Sequence, residues 1–355
     1  MILKRFGNFL KENKGFKWAL ITLAVLCVFK LSPWLAEHLY REFLFQIFRV
    51  VWDHTLGLLP FPLVYLLLVA LPFILYFYTK RYERTWSSLL LWPLNVVGWM
   101  VTFFFWMWGY NYCAPHLLNE NAMKKMTVAD LHQFGLEVAA DVNWWGDKID
   151  RNKLMQSLNE NFVDDEFSLT VGLYLSGKDR TCWPYADFRL LHDGGLMRKF
   201  GVGGIYLPFV GQGHSSDTHH YLYKPFVAAH ELSHAYGITD EGEADYVAYK
   251  ALTYPSAMVG YENEMKYCAE LELLRSIRSQ LYLINDSLRV VIDSTLLPQV
   301  LQDIKEMREN ALLYTEYIHG LQEAMNDAYL KTMGIQSGVM SYDRFVEMVW
   351  NDRNR

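Results

Sequence analysis

The sequence predicts a mainly helical α+β protein in which three N-terminal transmembrane helices precede a second, extracytoplasmic domain. The long apolar runs are concentrated in residues 1 to about 115, whereas the remainder mixes charged and apolar residues as a water-soluble domain does. With 355 residues the chain is long enough for two such units. We therefore expect a membrane domain at residues 1–115 and a second domain at residues 116–355.

Three apolar runs approach the length of about 20 residues that a helix needs to cross a bilayer. We place the spans at about residues 16–36, 58–79 and 87–110. Pro72 and Pro93 will kink the second and third helices, which neighbouring helices can accommodate. The first run is also short enough for a signal peptide, but no A-x-A cleavage site follows it, so we predict a retained anchor.

Positive charge near the spans predicts the orientation, because cytoplasmic loops retain Lys and Arg. The first loop has only Arg41 and Arg49, offset by nearby acids. The N-terminal tail and the second loop are richer in such residues, namely Lys4, Arg5, Lys11, Lys14, Lys17, Lys80, Arg81 and Arg84. This pattern predicts a multi-pass protein of the cell (inner) membrane whose second domain lies outside the cytoplasm.

Charge and cysteine content exclude some classes of function. The formal charge of −6, with no basic cluster beyond residue 84, argues against a nucleic-acid partner. The four cysteines show no CxxC spacing, so they form neither a zinc ribbon nor a thioredoxin-type site. Cys182 and Cys268 are a candidate disulfide only if their domain faces an oxidising compartment.

The second domain is predicted to be mainly helical. Thr127 and Asp130 form a capping-box pattern ahead of an amphipathic helix. Residues 167–176 and 203–210 are rich in alternating or branched apolar residues and are predicted to be strands. Beyond Tyr261 the sequence is a series of helical segments.

The residues with the clearest chemistry form an HExxH motif, His230-Glu231-Leu232-Ser233-His234. Pro225 suits the first turn of a helix and Gly237 its end. Four residues are just over one helical turn, so both imidazoles project from one face and can share one Zn²⁺. Glu231 is then placed to take a proton from metal-bound water and pass it to a leaving amine. The alternative is two surface histidines beside a glutamate.

A catalytic zinc needs a third protein ligand, and three acids near the start of the next helix compete for that role. Glu241 and Asp245 fit the E-x-x-A-D arrangement of the gluzincins, with Glu241 on the metal and Asp245 orienting a ligand histidine. Asp240 instead completes HExxHxxGxxD, the metzincin-like spacing, and Glu243 is the remaining candidate. We favour Glu241, although acids also stabilise the first turn of any helix.

Two neighbouring segments are candidates for substrate contact. The strand at residues 203–210 is predicted to pair with an extended substrate, or else to be a core strand. The polar stretch before the motif supplies candidates for stabilising an oxyanion, namely His214, His219, His220, Tyr221 and Tyr223.

The motifs WMWGYNYCAPHL, GVGGIYLPFVGQGH, HELSHAYG, EGEADYVAY and AYLKTMGIQSGVMSYDRFVEMV resemble a family of bacterial membrane proteins catalogued only as a domain of unknown function. The resemblance covers nearly the whole chain. It implies a few N-terminal spans followed by a domain bearing HExxH, and a membrane-anchored zinc peptidase of unknown substrate. Members of that family tend to have an acid where Gln212 stands in this chain.

The sequence therefore predicts a membrane-anchored zinc-dependent hydrolase, a metallopeptidase acting on peptide or protein. His230, His234 and Glu241 would hold Zn²⁺, Glu231 would be catalytic and Asp245 would support a ligand. One alternative is a non-catalytic membrane module in which zinc braces the domain for partner binding. The other is a zinc amidase acting on lipid or cell-wall amides.

Overall fold

The structure, a computed structural model, describes residues 13–80, 86–119, 122–160, 164–183, 185–254, 258, 260–317, 320, 324, 327–328 and 344–355. It is mainly helical with a small three-stranded sheet, so the predicted α+β class is confirmed. The chain divides into two compact units, residues 1–115 with 207–212, and residues 116–206 with 213–355. Of the charges on which the predicted orientation depends, Lys4, Arg5, Lys11, Arg81 and Arg84 lie outside the described residues.

The first unit is built from helices, three of which coincide with the apolar runs. They are α1 (Lys14–Leu31), a π-helix (Ala36–Leu44), α2 (Phe45–Asp53), α3 (Leu63–Thr79) and α4 (Trp86–Met107). Within the described part of the chain, no one helix combines the length and hydropathy needed to cross a bilayer. Helix α1 and the run Pro33–Leu58 meet that criterion jointly, but with a bend of 111° between them. The three transmembrane helices therefore remain a prediction.

A buried ion pair holds residues 207–212 within this first unit. Arg49 pairs with Asp53 at 3.0 Å, with both side chains 5% exposed. The same guanidinium donates a hydrogen bond to the carbonyl oxygen of Gly211 at 3.0 Å. Trp52 adds a second bond, from its indole Nε1 to the carbonyl oxygen of Val210. Two side chains of α2 thus hold consecutive carbonyls of a segment about 160 residues away in the chain.

Gln212, which stands where members of the resembling family are expected to have an acid, has a clear structural contact. Its buried Oε1 accepts a hydrogen bond from the backbone N–H of Leu63 at 2.7 Å. Leu63 begins α3, and the first N–H groups of a helix have no partner inside the helix. A glutamate at this position would supply an equivalent oxygen acceptor, since a carboxylate is favourable at a helix N-terminus.

The second unit surrounds one hydrophobic core. Its helices before the sheet are α5 (Val128–Gly146), α6 (Arg151–Glu160) and α7 (Asp164–Ser176). The sheet comprises β1 (Asp187–Leu191), β2 (Gly204–Leu207) and β3 (Gln212–Ser216), with α8 (Leu196–Lys199) between β1 and β2. The helices that follow are α9 (Lys224–Ala235), α10 (Glu241–Leu252), α11 (Glu262–Ile284), α12 (Asp286–Asp293), α13 (Pro298–Leu312) and α14 (Arg344–Arg353).

Local sequence signals account for several element boundaries. The capping box predicted at Thr127 is confirmed, because its hydroxyl accepts from Asp130 N–H and the Asp130 carboxylate accepts from Thr127 N–H. The strand predicted at residues 203–210 is confirmed for its first part, β2. Neither Cys182 nor Cys268 is in a disulfide.

The strand predicted at residues 167–176 is wrong, because this segment is helix α7. Phe167, Val171, Tyr174 and Leu175 are all buried, and their spacing of four, seven and eight residues marks one face of a helix. Short apolar runs are ambiguous between strand and buried helix, and here helical packing against the core decided the outcome.

The sheet has the order β1-β3-β2, so β3 is central and β2 lies at an edge. Only four residues join β2 to β3, and neighbouring strands with so short a link must be antiparallel, since a parallel pair needs a long crossover. All five residues of β3 are buried, whereas β2 is partly exposed. One side of β2 therefore has no strand partner among the described residues.

We expect Arg49→Met to reduce the free energy of unfolding of the full-length protein by about 3–5 kcal/mol, because it removes the ion-pair partner of the buried Asp53 carboxylate. Denaturant unfolding of detergent-solubilised protein measures this loss. The matched control is Glu42→Gln, which removes an exposed i,i+4 pair with His38 and should cost at most about 1 kcal/mol. Equal losses in the two variants would contradict a structural role for the Arg49 pair.

Candidate metal centre

Helix α9 presents the HExxH motif from a buried position. Pro225 lies in its first turn, where the absent N–H costs no hydrogen bond. Eleven of its twelve residues are buried, and His230 is the exception. The rings of His230 and His234 lie on the same face of the helix with centroids 4.8 Å apart. The helical spacing has therefore brought the two imidazoles together, as the sequence predicted.

The end of α9 orients the second histidine. Gly237 adopts a left-handed conformation, with φ of +88°, that a residue with a side chain rarely adopts. The N–H of Gly237 bonds to the carbonyl of His234, and the N–H of Ile238 bonds to that of Ser233, which together form a Schellman cap. The same turn brings the Ile238 carbonyl oxygen to 2.8 Å from His234 Nδ1. A carbonyl only accepts, so His234 Nδ1 carries the proton.

The first histidine is oriented by the next helix. Asp245 on α10 has its Oδ1 2.7 Å from His230 Nδ1, where a carboxylate accepts the imidazole proton. Each histidine therefore uses Nδ1 as a donor, which leaves the lone pair of Nε2 directed inward in the neutral form. Asp245 thus orients His230, and its predicted role beside a metal-ligating histidine stays a prediction.

Glu241 completes a triangle of donor atoms with the two histidines. Its Oε2 lies 3.2 Å from His230 Nε2 and 3.2 Å from His234 Nε2, and the two nitrogens are 3.1 Å apart. A tetrahedral zinc ion with bonds of about 2.0–2.1 Å separates its ligand atoms by roughly 3.3–3.4 Å. The three side chains therefore fit a zinc ion that keeps its fourth position for water or substrate.

The charge of the cluster also favours a cation. Glu231, Glu241 and Asp245 are three carboxylates in the immediate surroundings of two imidazoles. Burial opposes a charged imidazole, but Asp245 and Glu241 outweigh burial and raise the pKa of His230 well above its ordinary value. The pKa of His234 is raised in the same way, against burial, chiefly by Glu241. The site therefore attracts positive charge, which either protons or a metal ion supplies.

Asp240 and Glu243, the two rival ligands, are used elsewhere in the fold. The Asp240 carboxylate caps α10 by accepting from Glu243 N–H at 3.0 Å, and it pairs with Arg344 at 2.6 Å. Glu243 accepts from the backbone N–H of Leu118 at 3.0 Å. Within the part of the chain that the structure describes, the three residues His230, His234 and Glu241 are the group of donors arranged to hold a metal.

Glu231 lies beside this centre with an available oxygen. The residue is only 4% exposed, and its Oε2 has no hydrogen-bond partner among the described residues. Burial raises the pKa of Glu231 to about 7, with the two imidazoles opposing that rise. A carboxyl group in this range can both accept and return a proton near neutral pH.

Two glycines of the sheet let the backbone approach Glu231. A Cβ placed on Gly204 would lie 2.3 Å from Glu231 Oε1, and one on Gly213 would lie 2.9 Å from Glu231 Cβ. No side chain fits at such distances, so both positions require glycine as long as Glu231 keeps its place. The edge strand β2 thus runs directly past the candidate base. The glycines were visible in the sequence, but only the packing shows what they approach.

Two of the residues predicted as candidates for stabilising an oxyanion lie on different elements, His214 on β3 and Tyr223 at the start of α9. Side chains alternate along a strand, so His214 faces away from the side on which Gly213 meets Glu231. His214 is fully buried there, and burial lowers its pKa to about 4. Tyr223 lies at the start of α9, and its hydroxyl would be 3.6 Å from a Cβ on Gly203. Burial raises the pKa of Tyr223, so its hydroxyl stays a proton donor near the site.

The fold and the site define a mainly helical α+β protein in which an HExxH helix and a following acidic helix bring three potential metal donors together. Residues 40–350 match the model of a family described as a protein of unknown function (DUF3810). The chain belongs to this family. No curated protein and no solved structure matches the chain.

We expect Glu241→Gln to weaken zinc binding by more than about 100-fold, because loss of a supporting residue alone typically costs about 10–100-fold. Asp240→Asn should keep stoichiometric zinc, since its carboxylate caps α10 and pairs with Arg344. Chelator competition and metal analysis on the two purified variants measure the difference. Zinc lost in Asp240→Asn but kept in Glu241→Gln would show that the ligand assignment is wrong.

Proposed function

We propose that this protein is a zinc-dependent hydrolase, specifically a metallopeptidase. The observation that carries the proposal is the convergence of three lone-pair donors, His230 Nε2, His234 Nε2 and Glu241 Oε2, within 3.2 Å of one another. A zinc ion bound there would polarise a substrate carbonyl and acidify a water molecule. Glu231, buried beside the triangle with an unpartnered oxygen, supports a reaction in which a proton moves.

Each protein group has a distinct part in this scheme. Glu231 accepts a proton from the attacking water and returns it to the leaving amine. Asp245 and the Ile238 carbonyl hold the two imidazoles in the tautomer that binds a cation. Tyr223 is the candidate donor to the oxygen that gains negative charge, because its hydroxyl remains protonated near the site.

A peptide substrate is favoured by the edge strand. β2 has one side without a strand partner among the described residues, and Gly204 brings its backbone against Glu231. An extended peptide can add to such an edge through main-chain hydrogen bonds, which would place a peptide bond beside the candidate base. This arrangement favours a peptidase over a hydrolase of lipid amides, since a lipid offers no extended backbone to pair with the strand.

A purely structural zinc is less well supported. Structural zinc sites are usually closed by four protein ligands. Asp240 and Glu243, the acids nearest to the triangle in sequence, are engaged in capping and backbone bonds. A site of three protein donors beside a buried carboxyl of raised pKa is the pattern expected of catalysis.

The proposal includes anchoring in the cell membrane, with the metal centre outside the cytoplasm. Large apolar side chains of α3 are exposed, with Leu68 at 61%, Val69 at 64% and Phe73 at 61%. An apolar surface of this kind is unfavourable in water and favourable in lipid. The sidedness is inferred from the distribution of Lys and Arg in the sequence.

The central test is Glu231→Gln. We expect this variant to bind zinc with wild-type stoichiometry and to lose peptide hydrolysis by at least about 100-fold, the lower end of the contribution of general acid–base catalysis. Metal analysis and cleavage of a mixed peptide digest, followed by mass spectrometry, measure the two properties. Glu137→Gln, an exposed glutamate on α5, is the matched control and should retain both. Unchanged cleavage by Glu231→Gln would refute the proposed base.

Gly204→Ala tests the position of Glu231. The new Cβ would lie 2.3 Å from Glu231 Oε1, so the carboxylate must move, and displacement of a catalytic group by about 1 Å can reduce turnover about 100-fold. Zinc binding should persist, since the three atoms nearest to the new Cβ all belong to Glu231 and not to a proposed ligand. The control Gly177→Ala places a Cβ at 3.4 Å from its nearest neighbour, an ordinary contact, and should leave cleavage unchanged.

A further inference from the structure

A cavity opens in the same unit as the candidate metal centre. Its volume is about 260 Å³, and it lies between α8, the start of β2 and α13. Polar and aromatic side chains dominate its lining, including Arg198, His219, Tyr223, Arg275, Asn310 and Tyr314. None of these residues is a donor of the metal triangle.

The cavity is connected to the metal centre through two of its lining residues. Gly203 lines the cavity, and the next residue, Gly204, is the one whose Cβ would meet Glu231 Oε1 at 2.3 Å. Consecutive Cα atoms are about 3.8 Å apart, so the wall of the cavity begins at the residue next to the one that approaches Glu231. Tyr223 forms another part of the wall and directly precedes α9. A substrate side chain that entered the cavity would therefore belong to a residue close to the peptide bond that is cleaved.

Arg198 gives the cavity a positive charge that no described carboxylate neutralises by direct pairing. Its guanidinium donates to the backbone carbonyls of Thr218 and Asn310 at 2.8 and 2.9 Å, and it lies 4.2 Å from the Tyr314 ring centroid. These contacts fix the planar group, and the carboxylate of Asp193 interacts with its charge without forming a direct ion pair. Glu316, which also lines the cavity, is an exposed residue and accepts from Gly320 N–H.

A second basic residue, Arg275, lies where the cavity adjoins a larger cleft. Although Arg275 pairs with Glu272, it lines both the cavity and a second, larger cleft between α11 and α13. The lining of the cleft includes four more basic residues, Arg278, Arg289, Lys305 and Arg308, with Glu272 as its acid. Arg278 and Arg289 pair with Asp293, Arg289 also pairs with Asp286, and Lys305 pairs with Glu309 at 3.8 Å, whereas Arg308 forms no ion pair within the described part of the chain. Positive side chains are thus grouped here in a chain whose formal charge is −6.

We propose that the Arg198 cavity binds an acidic side chain of the substrate, and that the protein therefore selects peptides with Asp or Glu near the cleaved bond. This inference rests on the proposed hydrolase function, because it names the substrate class of that site. A fixed guanidinium matches a carboxylate through two parallel hydrogen bonds, which gives selectivity over a neutral amide. The basic cleft beyond Arg275 would favour further acidic residues on the same side of the bond.

The test compares two internally quenched peptides built on a cleavage site found in a peptide digest, with Glu or Gln at the residue that flanks the cut. Full-length, zinc-loaded wild-type protein should prefer the Glu peptide in kcat/KM. We expect Arg198→Met to reduce this Glu/Gln ratio by about 10–100-fold, the value of a hydrogen bond to a charged group. Arg198→Lys should retain part of the preference, and Lys148→Met, an exposed charge on the same domain, should leave the ratio unchanged.

A binding measurement separates this proposal from the proposed hydrolysis. Fluorescence anisotropy of labelled pentaglutamate and pentaglutamine on zinc-loaded Glu231→Gln protein reports recognition without turnover. Tighter binding of pentaglutamate that depends on Arg198 would support the cavity even if wild-type protein cleaved nothing. Equal Glu/Gln ratios in wild-type and Arg198→Met proteins with normal zinc content would overturn it while leaving the hydrolase intact. Metal content shows that the variants are folded.

Discussion

The arrangement of the second unit depends on one electrostatic constraint, the close approach of three lone-pair donors inside a buried, acid-rich site. Two imidazole nitrogens and a carboxylate oxygen lie within 3.2 Å of one another, with Asp245 and Glu231 close by. Such a group repels itself unless positive charge is present, because burial weakens the screening that water provides. Much of the surrounding structure therefore holds in place side chains that would otherwise move apart.

That support comes from backbone turns as much as from side chains. The Schellman cap at Gly237 ends α9 and turns the Ile238 carbonyl toward His234. Asp240 caps α10, and this places Glu241 and Asp245 one turn apart on the face that meets the histidines. Gly172 allows α7 to pack against the Tyr236 hydroxyl, since a Cβ there would lie 3.1 Å away. Short loops and helix ends thus determine the geometry of the donors.

The edge strand relates the candidate base to substrate recognition. Gly204 and Gly213 bring two strands against Glu231, and the strand that includes Gly204 also leads into the wall of the Arg198 cavity. Between those strands, residues 207–212 belong to the other unit, where Arg49 and Trp52 hold their carbonyls.

The sequence alone determined the features that depend on local spacing. The HExxH pattern places both imidazoles on one helical face, Gly237 ends the helix, and Thr127 with Asp130 forms a capping box, because each of these involves residues within about one turn. Spacing could not decide among Asp240, Glu241 and Glu243, since all three acids lie near one helix start. Tertiary structure distinguishes them, because Arg344, 104 residues away, pairs with Asp240, the backbone N–H of Leu118 bonds to Glu243, and Glu241 lies beside the two histidines. The role of Glu241 as a zinc ligand stays a prediction. The helix at residues 164–176, the approach of Gly204 to Glu231 and the Arg198 cavity likewise depend on long-range packing, which local propensity does not encode.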